Sequence, residues 1–144
     1  MKHILMILVM TLSMAAPALA RLGETKAQCD TRYGEPLYAG TDAAVYMDGS
    51  IRLVVTFDKD KVVAIAYRKL ISDGLDRASI KKYMAANAFG LKWKRLQREG
   101  DYMAWVQAWQ RSDGKAVALY HVPDRNSPLL FTLQICTKTY LAKK

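Results

Sequence analysis

Few side chains in this sequence could carry out acid–base or metal chemistry. Beyond the first 20 residues the chain has one histidine, His121, and two cysteines, Cys29 and Cys136. The cysteines are 107 positions apart (136 − 29), which is unlike the short ligand spacing of a metal site. Asp58 and Asp60 stand in a turn segment that has neither the glycine nor the distal glutamate of a calcium loop. We therefore predict no metal site and no cofactor.

His121 is the one candidate for general acid–base catalysis. Such chemistry needs a nucleophile and an orienting carboxylate beside the imidazole, and no nucleophile signature accompanies His121 in the sequence. A histidine at a strand end with a local hydrogen bond fits the pattern better. The chain is therefore predicted not to be an enzyme, and the alternative is a small secreted enzyme that uses His121 or the cysteines.

A basic segment with interleaved aromatic residues is the best candidate for binding. The predicted binding residues are Lys92, Trp93, Lys94, Arg95 and Arg98. Arginine and tryptophan are favoured anchors of binding surfaces. The alternative is a solvated basic segment, in which Trp105 and Trp109 are core residues and Trp93 is equally compatible with exposure and burial.

The N-terminus has the pattern of a secretory signal peptide. Lys2 precedes an apolar run over 4–12, and Ala18-Leu19-Ala20 has the A-x-A form of a cleavage site. The apolar run is short for a membrane span. Cleavage after Ala20 would leave 144 − 20 = 124 residues and lower the formal charge from +9 to +8. We predict a secreted or periplasmic protein.

The positive charge predicts an acidic partner for an exported protein: an acidic protein face, an envelope polymer or an anionic lipid head group. Peripheral membrane contact is therefore open, whereas export argues against nucleic acid. The alternative is that the charge serves solubility alone. The oligomeric state is not predicted.

An oxidising compartment would allow Cys29 and Cys136 to form a disulfide, which we predict. Strand alternation complicates this pairing, because Ile135 shares a face with Leu133 and so Cys136 faces the opposite side. The alternative is two separate thiols.

Alternating apolar residues over 51–68 predict a β-hairpin with one apolar face, which other elements must cover. Helices are predicted at 22–36, with Thr25 as N-cap, and at 76–88, with Asp76 as N-cap. Three strands are predicted after each helix. The sequence thus predicts a two-layer α+β domain over 21–144 with the order αβββαβββ, the helices on one sheet face, and two repeats at 21–70 and 71–140.

The first predicted helix carries the pattern G-x-T-x-x-Q-x-x-x-x-Y-G-x-P over 23–36. This pattern resembles the helix signature of the SmpA/OmlA, or BamE-like, proteins, and the segment Leu53-Val54-Val55-Thr56-Phe57 resembles their following strand. The resemblance covers 23–68. The tandem order is similar to that of the β-lactamase inhibitor protein. The resemblance implies a small helix-on-sheet fold and protein binding or envelope assembly without catalysis. Two features depart from the family: there is no lipidated cysteine, and Cys29 replaces an apolar valine.

These observations together predict an exported non-enzymatic domain that binds a protein or an acidic envelope component. A purely structural exported domain is a further alternative.

Overall fold

A computed structural model describes residues 19–69, 74–96, 106–121 and 132–144. Its elements, in chain order, are α1 (Lys26–Tyr33), β1 (Tyr38–Ala39), β2 (Ala43–Asp48), β3 (Ile51–Asp58), β4 (Lys61–Lys69), α2 (Arg77–Ala86), β5 (Trp93–Arg95), β6 (Val106–Arg111), β7 (Ala116–His121), β8 (Thr132–Thr137) and α3 (Lys138–Ala142). None of the helices in these ranges has the length and apolar character needed to cross a bilayer.

All eight strands form one antiparallel sheet in the order β1-β2-β3-β4-β8-β7-β6-β5. The two halves of the chain meet at its centre, where β4 pairs with β8 and Ile65 lies opposite Ile135. Strands β1 and β5 form the two edges.

The predicted two-layer α+β fold of helix-plus-three-strand repeats is wrong. Over the described residues the protein is mostly β, with three short helices and a single eight-stranded sheet. The difference arises from β1 and β5, each of which adds a fourth, short strand to its half. Strand β8 ends at Thr137, whose side chain caps the short helix α3 that follows. Whether the halves arose by duplication stays a prediction.

The predicted hairpin and the two predicted helix starts are confirmed. Strands β3 and β4 pair along their length, and the two residues between them, Lys59 and Asp60, have φ angles of 50° and 59°. The Thr25 side chain accepts a hydrogen bond from Gln28 N, and the Gln28 side chain accepts one from Thr25 N, which is a complete capping box. Asp76 caps α2 through Ser79 N.

The main core lies on the sheet face that carries α1 and α2. Five residues of β3, β4 and β8 are buried in a single cluster with residues of both helices: Leu53, Val55, Phe57, Ile65 and Leu133. Cys29 of α1 and Tyr83 of α2 belong to the same cluster. Because side chains alternate along each strand, the residues on either side of these strand residues in the sequence face the opposite side of the sheet.

The two cysteines lie on opposite faces of the sheet and are free thiols. Ile135 lies in the main core, whereas Cys136 pairs with Ala64 and Val117 on the opposite face. Cys29 packs on the helix side, so the predicted disulfide is not formed. Burial raises the pKa of the Cys29 thiol to about 12 and that of Cys136 to about 11, which disfavours the reactive thiolate.

Candidate binding groove

A groove of about 510 Å³ lies between α2 and the β5–β6 edge of the sheet. It is lined by Arg77, Ile80, Lys81, Met84, Ala85, Ala88, Gly90, Leu91, Trp93 and Trp109. The helix supplies one wall because residues three and four apart share a face. The strands supply the other wall through Trp93 and Trp109, which are both half-buried. An open groove with mostly apolar walls is the usual form of a small-molecule or peptide site.

Trp93 joins the two walls of the groove. Its indole N–H donates a 2.8 Å hydrogen bond to the carbonyl oxygen of Met84, which lies in the last turn of α2. The same carbonyl also accepts a hydrogen bond from Asn87 N at 3.2 Å, so the indole is a second donor to a carbonyl in the last turn of the helix. The tryptophan is thereby tied to the end of α2.

The C-terminal end of α2 is fixed by Arg111 of β6. One Arg111 nitrogen donates to the Asn87 carbonyl at 3.1 Å, and two others donate to the Asp113 carboxylate at 2.9 and 2.8 Å. The guanidinium lowers the pKa of Asp113 to about 2, so this pair stays ionised. The Arg111 guanidinium also lies over the Phe89 ring, 5.2 Å from the ring centroid. The pair thus ties the helix end to the sheet beside the groove.

Phe89 combines two unfavourable features at this end of the groove. Its φ angle of 53° is rare for a bulky residue, and its side chain is 52% exposed. Leu91, which lines the groove, is 40% exposed. Backbone strain of this kind costs about 1–3 kcal/mol and concentrates at functional sites. An exposed aromatic ring held by a strained backbone next to an apolar groove is therefore consistent with a binding role.

The charge lining the groove is of one sign. Among the residues that the structure describes, Arg77 and Lys81 are its only charged lining residues, and both are exposed on α2. Lys92 and Arg95 are exposed on the adjoining strand segment. Since these exposed cations attract an anionic neighbour, the groove suits an occupant with apolar side chains and acidic flanks.

Strand β5 divides the predicted binding cluster between two sheet faces. Trp93 lies on the same face as α2, and Arg95 shares that face because it is two residues away. Lys94 faces the opposite side, and Arg98 lies outside the described residues. Of the predicted binding residues that the structure describes, Trp93 alone lines the groove, and the α2 wall was not predicted. The signal that could have found it was the cationic pair Arg77 and Lys81, which lies one turn apart beside an apolar stripe.

The other residues that were considered for catalysis or binding do not gather in one site within the described ranges. His121 is exposed at the end of β7, where it pairs across the sheet with Val106 and Thr132. Across the described ranges, no group of three or more His, Cys, Asp or Glu side chains could hold a metal ion. Trp109 packs against the core as predicted, while also lining the groove, and Trp105 lies outside the described residues.

Comparison with known proteins gives no family. No protein-family model and no curated protein matches the chain. Among solved structures, a cysteine-rich secretory protein from Staphylococcus aureus is similar at 14% identity and a TM-score of 0.47, over 84% of this chain and 46% of that one. A DUF4309 family protein from Bacillus subtilis is similar at 13% identity and a TM-score of 0.43, over 79% of this chain and 78% of that one. The chain thus spans less than half the length of the staphylococcal protein.

Proposed function

We propose that the protein is an exported, non-enzymatic binding domain whose groove between α2 and β5–β6 holds a segment of an acidic partner protein. The observation that carries this proposal is the composition of the groove. Its walls are apolar, and the charged residues that line it within the described part of the chain, Arg77 and Lys81, are both cations. Export is proposed from the signal-peptide pattern, and the resemblance of 23–68 to the SmpA/OmlA proteins is in keeping with protein binding.

The groove offers both components of a typical interface. Trp93 and Leu91 provide aromatic and aliphatic surface for burial, and tryptophan is among the residues that contribute most to binding. The surrounding cations favour acidic partners and speed their association. An acidic envelope polymer would satisfy the cations but would leave the apolar walls uncovered. A protein segment satisfies both, so we favour it.

The enzyme alternative gains no support from the geometry that is described. His121 is exposed at the end of β7, and the two cysteine thiols are buried on opposite faces of the sheet with raised pKa values. Phe89 packs against Arg111 and so does not decide between binding and a purely structural role; the open apolar groove is the observation that favours binding.

Site-specific photo-crosslinking in the cell envelope tests the proposal. A crosslinking residue at Ala85, which is exposed in the groove, is compared with one at Ala27, which is exposed on α1. We expect a discrete protein adduct from position 85 and none of that mass from position 27. Arg77→Glu with Lys81→Glu should abolish the adduct, whereas the equal charge change Lys59→Glu with Lys61→Glu, at the β3–β4 turn, should not. Identical adducts at both positions, or adducts that survive the groove reversal, would contradict the proposal.

A further inference from the structure

The segment at 19–22, which contains the predicted cleavage site, is part of the folded core. Ala20 is completely buried, and Leu19 and Leu22 belong to the same buried cluster as the residues of β3 and β4. The Ala20 N–H donates a hydrogen bond to the Tyr33 hydroxyl. The Ala20 carbonyl accepts hydrogen bonds from the Tyr67 hydroxyl and from Asn87 Nδ2, each at 3.2 Å. Both backbone groups of Ala20 are thus bonded to side chains of the folded domain.

The residues that follow continue this attachment. Leu22 N donates to Asn87 Oδ1 at 2.9 Å, and Gly23 N donates to the Val62 carbonyl at 2.8 Å. The segment is therefore held between the end of α2 and strand β4. Asn87 and Tyr67 are buried polar side chains, and the segment supplies the partners they need.

Loss of Ala20 would leave buried polar groups without partners. The Tyr67 hydroxyl is fully buried and donates to the Ala20 carbonyl, so its hydroxyl proton would lose that acceptor. A chain beginning at Arg21 would also place a new ammonium group there. Glu24 Oε2, 3.2 Å from Arg21 N, could balance that charge, but it cannot replace the lost carbonyl or fill the space left by Leu19 and Ala20.

Two overlapping A-x-A triplets precede this segment in the sequence: Ala16-Pro17-Ala18 and Ala18-Leu19-Ala20. We propose that the signal peptide is removed after Ala18, so that the exported chain begins at Leu19 and keeps Ala20 in its core. Water adds across the Ala18–Leu19 amide bond; Ala18 leaves with the new carboxylate, and Leu19 keeps the new ammonium group. The hydrolysis is catalysed by the signal peptidase of the export machinery. The inference rests on the export part of the proposed function.

The intact mass of the protein recovered from the exported fraction decides the start of the chain. A mass that begins at Leu19 supports the inference. A mass that begins at Arg21 overturns it while leaving export standing. Recovery of the intact chain from Met1 overturns both.

A stability measurement tests the physical reason separately. Chains beginning at Leu19 and at Arg21 are released from a cleavable fusion without extra residues and melted under the same conditions. We expect the Arg21 chain to melt about 10 °C or more lower, because it lacks two buried residues and the hydrogen bonds of the Ala20 backbone. The matched control removes two residues from the other end, Lys143 and Lys144, which are both exposed, and should change Tm little. Equal melting of the Leu19 and Arg21 chains would overturn the inference.

Discussion

Asn87 is the polar side chain on which the core depends most. It is the buried polar residue among those described, and it makes four hydrogen bonds through its side chain. Its Oδ1 accepts from Leu22 N, and its Nδ2 lies within 3.2 Å of the Ala20 carbonyl and the Tyr67 hydroxyl and 3.0 Å from the Tyr83 carbonyl. We predict that Asn87→Ala is among the most destabilising single substitutions in the chain.

The magnitude follows from the groups that lose their partners. A net hydrogen bond contributes about 1 kcal/mol, and a buried group left unsatisfied costs about 1–3 kcal/mol. At least one N–H, of Leu22, and one carbonyl, of Tyr83, would be left buried. We therefore expect Asn87→Ala to lower the free energy of unfolding by about 3–5 kcal/mol, the range of large single-site effects.

Urea unfolding monitored by circular dichroism measures the effect. The midpoint should fall while the slope m stays unchanged, because the surface exposed on unfolding is the same. Asn87→Asp should be nearly as harmful at neutral pH, since a carboxylate cannot donate to the carbonyls that Nδ2 contacts. Gln107→Ala, at a half-buried position on β6, is the control and should change stability by less than about 0.5 kcal/mol. A loss below about 1 kcal/mol for Asn87→Ala would refute the reasoning.

Three further outcomes are expected. Burial raises the pKa values of Tyr33, Tyr67 and Tyr83, so the folded state holds their protons more tightly than the unfolded state; their contribution to stability should be constant below the unfolded pKa of about 10 and fall above it. Absorbance titration at alkaline pH checks this, and ionisation of all tyrosines without unfolding would contradict it. Leu53→Ala should cost about 2–5 kcal/mol in urea unfolding, since Leu53 is fully buried, and a cost under about 0.5 kcal/mol would show that the site is not packed. Both cysteines of the folded protein should resist alkylation without reductant and react fully in denaturant, whereas blocked thiols in denaturant would indicate a disulfide.

The sequence predicted the elements whose signals are local. The capping box of Thr25 and Gln28 and the alternation on both sides of Lys59 and Asp60 depend only on neighbouring residues, and the structure has them where expected. Strands β1 and β5 have two and three residues, too few for a periodic pattern, and they exist because an adjacent strand offers its edge. The fold class was therefore wrong even though the hairpin was right.

The groove shows the same limit. Trp93 was predicted as a binding residue because it stands between two lysines. Ile80 and Met84 have the spacing of an ordinary core-facing helix, so they were not. They line an open groove because α2 lies beside Trp93 and Trp109 of the β5–β6 edge, a placement that the helical spacing does not reveal. Alternation did foresee that Cys136 faces away from Ile135, and this parity separates it from Cys29.

The pairing of β4 with β8 has a consequence for how the chain acquires its structure. Ala64 and Cys136 are partners 72 positions apart (136 − 64), so the centre of the sheet closes only when the last strand arrives. Until then β4 is an unpaired sheet edge whose side chains, which are buried in the folded protein, remain accessible to solvent. Pairing between strands so far apart in sequence is slow, because the chain must close a long loop before it gains any contacts. The centre of the sheet is therefore expected to form late in folding, after β8 has been brought to the edge of β4.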